Sequence, residues 1–170
     1  MNSDDVDILL VDDSQDDVDL TLHALRAESL AKHVFIARDG EEALDFLFCS
    51  GPHSQRSFDH PPKLVLLDLK LPKIDGLQVL EQVKSDARTK TIPIVLMTSS
   101  GEERDMVRGY KLGVNSYLQK PVDFEQFRKM VKLLGMYWLV TNQAPITRGA
   151  TPPDSVATSA GRIAGARSTP

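Results

Sequence analysis

Five short apolar runs alternate with helix-like amphipathic segments along most of the chain, and this alternation constrains the fold more than any other feature. The apolar runs lie at about residues 7–11, 33–37, 64–67, 94–97 and 116–119. A helix is predicted after Ser14, and four more at about residues 41–48, 77–86, 103–112 and 124–140. Parallel neighbours in a sheet need crossover connections. The alternation therefore predicts an α/β fold, a doubly wound parallel sheet of five strands with five helices on its two faces.

Two segments outside this alternation are a long loop and a C-terminal tail. Residues 50–63 contain Gly51, Pro52, Pro61 and Pro62 and little apolar material, which predicts a loop before the third strand. From residue 141 onward large apolar side chains are few, so burial cannot offset the entropy lost on ordering. The sequence predicts one domain over residues 1–140 and a flexible tail over residues 141–170.

Composition excludes several classes of function. The formal net charge is −4, whereas a nucleic-acid-binding protein needs a concentrated basic face. No apolar run approaches the roughly 18 residues that span a bilayer, and residues 1–7 are acidic rather than a basic leader. Cys49 is the only cysteine, which excludes an internal disulfide. We therefore expect a cytoplasmic protein with neither nucleic acid nor membrane as a partner.

Polar residues suited to chemistry stand at the ends of the predicted strands, where open α/β sheets bind their ligands. They are three carboxylates, one hydroxyl and one amine: Asp12, Asp13, Asp68, Thr98 and Lys120. Carboxylates that meet in a partly buried site repel one another unless a cation neutralises them. An all-oxygen site of this kind suits Mg²⁺, with Mn²⁺ as an alternative. The sequence predicts a divalent metal at this rim and Lys120 as a second positive centre.

Four separated motifs at these strand ends resemble those of the receiver domains of two-component response regulators, over about residues 4–140. The motifs are LVDD at 10–13, VLLDLKLP at 65–72 followed by DG at 75–76, MTS at 97–99 and SYLQKP at 116–121. The resemblance implies a flavodoxin-like fold of the receiver type and a cis peptide bond before Pro121. It also implies a signalling protein rather than an enzyme, with only Mg²⁺-dependent self-phosphorylation and self-dephosphorylation.

The same resemblance implies a role for each residue of the rim. Asp68 would be the nucleophile that accepts a phosphoryl group from a phosphohistidine on a sensor histidine kinase. Asp12, Asp13 and the backbone carbonyl of Lys70 would hold the metal together with Asp68. Lys120 would bind the phosphoryl oxygens. Positioning and charge neutralisation supply most of the catalysis of phosphoryl transfer.

Four positions around the rim are expected to control the response. By resemblance, Thr98 and Tyr117 form a switch in which the hydroxyl moves onto the phosphoryl group and the aromatic ring turns inward. Lys70 and Ser100 lie two residues beyond Asp68 and Thr98, where side chains tune the lifetime of the phosphoryl group in the family. Lys70 departs from the usual polar residue, so an altered rate of hydrolysis is expected.

A narrower resemblance rests on the long loop, on LKLPK at 69–73 and on MYW at 136–138. These features resemble the single-domain regulators that are paired with bacterial and cyanobacterial phytochromes. This implies a bacteriophytochrome as the kinase and a homodimer built on the fourth and fifth helices. Candidate residues for that face are Met106, Tyr110, Tyr137 and Trp138, and packing in the core is the alternative for each.

The leading functional hypothesis is a single-domain response regulator that signals through a phosphorylation-dependent change of its protein-binding surface. A variant is a phosphorelay intermediate that passes its phosphoryl group to a histidine phosphotransfer protein. A Mg²⁺-dependent phosphohydrolase is disfavoured, because such enzymes usually carry a second acid where Lys70 stands here. A phosphorylation-independent adaptor is the remaining class, and it predicts that Asp68→Asn leaves partner binding unchanged.

Overall fold

The computed structural model describes residues 5–99 and 101–143, and the predicted α/β alternation is confirmed there. The strands are β1 (Ile8–Val11), β2 (Val34–Ala37), β3 (Leu64–Asp68), β4 (Ile94–Thr98) and β5 (Ser116–Gln119). They form one parallel sheet in the order β2-β1-β3-β4-β5. β3 and β4 each run one residue further than predicted, so Asp68 and Thr98 are the last residues of their strands.

Five α-helices connect and follow the strands: α1 (Gln15–Ala27), α2 (Gly40–Leu47), α3 (Gly76–Ser85), α4 (Glu103–Lys111) and α5 (Phe124–Gly135). Four of them begin at a side chain that accepts a hydrogen bond from the backbone N–H three residues later. These N-caps are Ser14, Asp39, Asp75 and Asp123. Because a side-chain cap satisfies an otherwise unpaired N–H, the local sequence fixes where these helices begin.

The two faces of the sheet bury separate apolar clusters. Alternate side chains of a strand point to opposite faces, so Leu9 and Val11 pack with α2 and α3, while Ile8 and Leu10 pack with α1 and α5. All four of these β1 residues are fully buried. A strand covered on both sides has no polar face, which is why the predicted strands read as continuous apolar runs.

The predicted loop at residues 50–63 is confirmed, but its packing was not predicted. It contains a short 3₁₀ turn at Gly51–His53. The Arg56 guanidinium lies 3.8 Å from the centre of the Phe46 ring. Phe46 in turn stacks on Phe35 at 4.5 Å between ring centres, with His53 edge-on to both rings. The loop therefore packs against aromatic side chains of β2 and α2.

The end of the last helix differs from the prediction in its local geometry. α5 ends at Gly135, and Met136–Thr141 continues as a π-helical turn rather than as α-helix to residue 140. Residues 144–170 of the predicted tail lie outside the described residues. Within residues 5–99 and 101–143, no helix has both the length and the apolar character needed to cross a membrane.

Candidate functional site

A crevice forms where the sheet changes its winding direction, at the carboxyl ends of β1 and β3. β2 lies on one side of β1 and β3 on the other, so the loops that follow β1 and β3 leave toward opposite faces. Val11 pairs with Leu67, which brings Asp12 beside Asp68. Asp12 is 1% exposed, whereas the neighbouring Asp13 is exposed to solvent. The structure thus brings the three carboxylates of the predicted rim to one place.

Lys120 reaches into this crevice from the residue after β5. Its Nζ lies 2.8 Å from Asp12 Oδ2, 2.7 Å from Asp17 Oδ2 and 3.3 Å from Asp68 Oδ1. The backbone N–H of Lys120 donates to the carbonyl oxygen of Thr98 at 2.7 Å, which fixes the start of its loop. The Lys120 side chain is 9% exposed. One largely buried ammonium therefore serves three carboxylates.

The crevice shifts the pKa of both Asp68 and Lys120. Burial raises the pKa of Asp68 to about 6; the charge of Asp12 adds to the rise, while the Lys120 ammonium and the Leu69 N–H oppose it. Burial alone would lower the pKa of Lys120, but the hydrogen bonds to Asp12 and Asp17 and the charge of Asp68 outweigh burial and raise it. At neutral pH the crevice therefore holds an ionised Asp68 beside a charged ammonium.

The carboxylates also fit a divalent metal ion. One oxygen from each of Asp12, Asp13 and Asp68 lies within 4.8 Å of the others. In residues 5–99 and 101–143 no other trio of His, Cys, Asp or Glu side chains meets this condition. Carboxylate oxygens are the ligands that hard divalent cations prefer, and a single ammonium leaves the crevice with excess negative charge. The donor set suits a cation such as Mg²⁺ or Mn²⁺.

Thr98 and Tyr117 lie on the adjacent strands β4 and β5. Thr98 is 1% exposed at the end of its strand. Tyr117 pairs with Leu96, and its hydroxyl is buried without a hydrogen-bond partner among the described residues. Burial, followed by the charges of Asp105 and Glu102 in α4 and its N-cap, raises the pKa of Tyr117. The Tyr117 ring therefore lies against the protein interior.

Three further predictions concern Lys70, Ser100 and the peptide bond before Pro121. The Lys70 side chain is exposed in the loop after β3, two residues beyond Asp68. Ser100 lies outside the described residues. The peptide bond before Pro121 is trans, since no cis peptide bond occurs in residues 5–99 and 101–143, so the expected cis bond is wrong. Proline lowers the preference for trans but does not remove it.

The start of α3 lies directly against the backbone of Asp68. The N–H of Gly76 donates to the carbonyl oxygen of Leu69 at 2.8 Å. A Cβ atom on Gly76 would overlap the carbonyl oxygen of Asp68 and would lie 2.9 Å from the Cα of Leu69. Only glycine allows this close approach. The Asp75-Gly76 pair singled out in the sequence thus supplies both the helix cap and the contact.

Asp17 is the residue at this site that the sequence interpretation missed. It lies in the first turn of α1, where a negative charge complements the helix dipole. Its carboxylate also forms the shortest contact of the Lys120 ammonium, at 2.7 Å. The available signal was its position: α1 begins at the carboxyl end of β1, so its first turn borders the crevice. Asp16 shares that signal and has no ion pair in the described residues.

The fold and the crevice define the class of protein. The family described as response regulator receiver domain matches residues 8–132, and the chain belongs to this family. The predicted receiver fold is therefore confirmed, and the protein is a response regulator of two-component signalling.

Similar proteins narrow this class. The chain is 38% identical to response regulator Rcp1 of Synechocystis sp. over 138 residues. This aligned region covers 81% of this chain and 92% of Rcp1. A solved Mn²⁺-bound form of Rcp1 superposes with a TM-score of 0.75 over 81% of this chain and 97% of that one. The phosphorylated cyanobacterial phytochrome response regulator RcpA is 38% identical, with a TM-score of 0.76 over 81% and 96% of the two chains. The bacteriophytochrome response regulator AtBRR is 51% identical, with a TM-score of 0.64 over 80% and 96%.

Proposed function

We propose that Asp68 accepts a phosphoryl group from a phosphohistidine of a sensor histidine kinase. The observation that carries this proposal is the position of its carboxylate. It ends the central strand β3, lies 3.3 Å from the Lys120 ammonium and shares a metal-sized cluster with Asp12 and Asp13. A nucleophile, a cation and a set of metal ligands thus meet at one point of the crevice.

The nucleophile is ionised under ordinary conditions. With a pKa of about 6, the Asp68 carboxylate is mostly deprotonated at neutral pH. One of its oxygens attacks phosphorus, a P–O bond forms, the P–N bond to the kinase histidine breaks, and the electron pair returns to the imidazole. Asp68 is 12% exposed, which leaves a narrow opening for the donor.

Asp12, Asp13, Asp68 and the backbone carbonyl of Lys70 would hold Mg²⁺, with Mn²⁺ as an alternative. When bound, the cation neutralises charge that develops on the phosphoryl oxygens. The Lys120 ammonium contributes the second positive charge, and its burial strengthens the interaction relative to one in water.

The switch acts through β4 and β5 in this proposal. The Thr98 hydroxyl would bind the new phosphoryl group and draw the end of β4 toward Asp68. Tyr117 lies on the next strand, packs against the cluster of α2 and α3, and has its ring beside Gly109 of α4, so the ring would report this movement to the α4 surface. A change of charge at Asp68 would thereby alter a protein-binding surface.

Lys70 and Ser100 are proposed to set the lifetime of the phosphoryl group. The exposed Lys70 side chain follows the acceptor by two residues, where a cation can either shield the acyl phosphate or align water. The rate of dephosphorylation of Lys70→Ala, followed after removal of the donor, should differ from that of the wild type. An unchanged rate would remove this role.

The kinase partner is proposed to be a bacteriophytochrome. Support comes from the similarity to Rcp1, to the phytochrome response regulator RcpA and to the bacteriophytochrome response regulators AtBRR and RtBRR, the last at 48% identity. Reconstitution with a bacteriophytochrome kinase should give phosphotransfer whose rate depends on the illumination of the kinase.

A homodimer through α4 and α5 is proposed because large apolar side chains are exposed on α4 and on the π-helical turn that follows α5. Met106 is 37% exposed, Tyr110 54% and Tyr137 53%, whereas Trp138 packs against the core cluster of α1 and α5. Exposed aromatic and thioether side chains are typical of protein interfaces. Light scattering should show a dimer that Tyr110→Asp weakens without changing the fold.

Phosphorylation with acetyl phosphate and Mg²⁺ tests the proposed function directly. Intact-mass spectrometry should show the addition of one phosphoryl group to the wild type and none to Asp68→Asn. Chelation of the metal should prevent the addition. A wild type that stays unmodified with metal present, or an Asp68→Asn variant modified as fast as the wild type, would refute the proposal.

A further inference from the structure

The Lys120 ammonium makes its two shortest contacts away from the proposed phosphoacceptor. Its Nζ lies 2.7 Å from Asp17 and 2.8 Å from Asp12, but 3.3 Å from Asp68. An ammonium has three hydrogen-bond donors. Two of them are therefore committed to neighbouring carboxylates while Asp68 is unmodified.

Hydrogen bonds at the start of α1 fix the backbone that carries the Asp17 side chain. The Asp17 N–H donates to the Ser14 hydroxyl at 3.3 Å, and its carbonyl oxygen accepts from the buried Thr21 hydroxyl at 2.8 Å. Asp17 is 38% exposed, whereas Lys120 is 9% exposed. The Asp17 carboxylate of this ion pair thus faces solvent, whereas the ammonium is largely buried.

Asp17 is not one of the carboxylates grouped for a metal ion, which are Asp12, Asp13 and Asp68. Among the described residues, the Lys120 ammonium is the cation with which its carboxylate forms an ion pair. When a phosphoryl group arrives, Lys120 must offer it a donor, and Asp12 lies deeper, with 2% of its side chain exposed. The contact with Asp17 is the outer one and the one that can be exchanged.

We propose that Asp17 is a positioning residue that holds Lys120 in the resting protein and competes with the incoming phosphoryl group for its ammonium. This inference rests on the proposed function. Asp17→Asn removes the competing charge while Asp12 still retains Lys120 in the crevice. The variant should accept phosphoryl groups faster than the wild type.

The kinetic test uses acetyl phosphate and Mg²⁺ with the full chain. The rate of phosphorylation of Asp17→Asn should rise about two- to five-fold, since a partly exposed ion pair is being removed. Asp17→Glu should return the rate toward that of the wild type. The matched control is Asp16→Asn, which removes the same charge from the same turn of α1 but no contact with Lys120.

A second measurement follows Lys120 itself in the metal-free protein. Hydrogen exchange of its ammonium, followed by ¹⁵N nuclear magnetic resonance, should be faster in Asp17→Asn than in the wild type and unchanged in Asp16→Asn. A merely structural role for Asp17 would shift stability without separating these two variants.

The outcomes distinguish this inference from the function on which it rests. If the wild type takes no phosphoryl group, both fail. If the wild type is phosphorylated but Asp17→Asn behaves like Asp16→Asn in rate and in ammonium exchange, or is slower, then the competition is disproved and the function stands.

Discussion

Charged side chains are held very differently at the two ends of the parallel sheet. Asp7 lies just before β1 at the amino end, and its carboxylate accepts hydrogen bonds from Lys63 Nζ at 2.8 Å and from the N–H groups of Lys32 and His33. Burial opposes ionisation, but these donors outweigh it and lower the pKa of Asp7. Asp68 at the carboxyl end shares one ammonium with two other carboxylates, and its pKa rises to about 6.

Two largely buried lysines, Lys84 at the amino end and Lys120 at the carboxyl end, differ in the same way as these carboxylates. Lys84 at the amino end donates to the carbonyl oxygens of Lys90 and Ile92 and to Asn115 Oδ1, and it has no carboxylate partner in the described residues. Burial lowers the pKa of Lys84 to about 8. Lys120 has three carboxylates and a raised pKa. The amino end is saturated by groups of the chain itself, whereas the carboxyl end has an excess of charge that a ligand can neutralise.

The largest effect should come from removing the cation of the carboxyl end. Lys120→Met leaves buried carboxylates without a partner, which should lower the free energy of unfolding by about 3–5 kcal/mol in metal-free buffer. Lys84→Met leaves only neutral acceptors without their donor, so its cost should be smaller, about 1–2 kcal/mol. Urea unfolding of both variants measures the difference. Equal costs would mean that the two ends are held alike.

The next largest effect is a gain in stability on removing the charge of Asp68. In the unfolded chain this carboxyl ionises near 3.8 and in the folded protein near 6, so wild-type stability should fall as pH rises between these values. Above pH 6, metal-free Asp68→Asn should exceed the wild type by roughly 3 kcal/mol, and below pH 4 the two should converge. Unfolding measured across this pH range with a chelator present tests the sign of the stability difference between Asp68→Asn and the wild type. A less stable variant at neutral pH would contradict it.

Divalent metal should add stability only through the carboxyl end. At a concentration about 100 times its dissociation constant, Mg²⁺ should raise the free energy of unfolding of the wild type by about 2.7 kcal/mol. Asp12→Asn should lose most of this gain, because it removes a ligand and a charge. Asp7→Asn should keep it. Thermal unfolding with Mg²⁺ and after chelation compares the three proteins, and an equal gain in all of them would place the metal elsewhere.

The smallest of these effects should be seen at Asp7. Asp7→Asn loses the Lys63 ion pair and weakens the bonds from two backbone N–H groups, at a cost of about 1–2 kcal/mol at neutral pH. Because the folded-state pKa of Asp7 is lowered, its contribution is present above about 3.8 and is lost as pH falls through the folded value. Its pH slope is opposite to that of Asp68. The free energy of unfolding of Asp7→Asn, Asp68→Asn and the wild type, measured as pH is lowered, should show the two opposite slopes. Slopes of the same sign would mean that the two ends of the sheet hold their carboxylates alike.

Much of the site could be predicted because its residues stand directly at strand ends. Parallel strands place their carboxyl ends at one edge, so Asp12, Asp68 and Lys120 follow from sequence position alone. The contact of Asp17 with Lys120 could not be predicted in this way. Asp16 and Asp17 are equivalent as first-turn acids, and only the direction of the helix start selects one of them.

The fold was likewise predicted where periodicity decides it and missed where individual contacts do. The apolar runs fix the strands, since both faces of the sheet are covered. The packing of Arg56 on Phe46 brings a polar loop against an apolar side chain of α2, a contact that no periodic pattern indicates. The π-helical turn at Met136–Thr141 continues the helical spacing closely enough that the sequence does not separate it from α5.

The close contact between Gly76 and the main chain of Asp68 fixes one side of the crevice. A Cβ atom at position 76 would overlap the Asp68 carbonyl oxygen, so this backbone has no room to move toward α3 if the proposed phosphorylation adds bulk and charge to the Asp68 side chain. We therefore expect the displacement to be taken up on the other side of the crevice, by β4, β5 and the loop that carries Lys120. Because residue 76 is glycine and has no Cβ atom, the direction of this expected movement is set before any partner is bound.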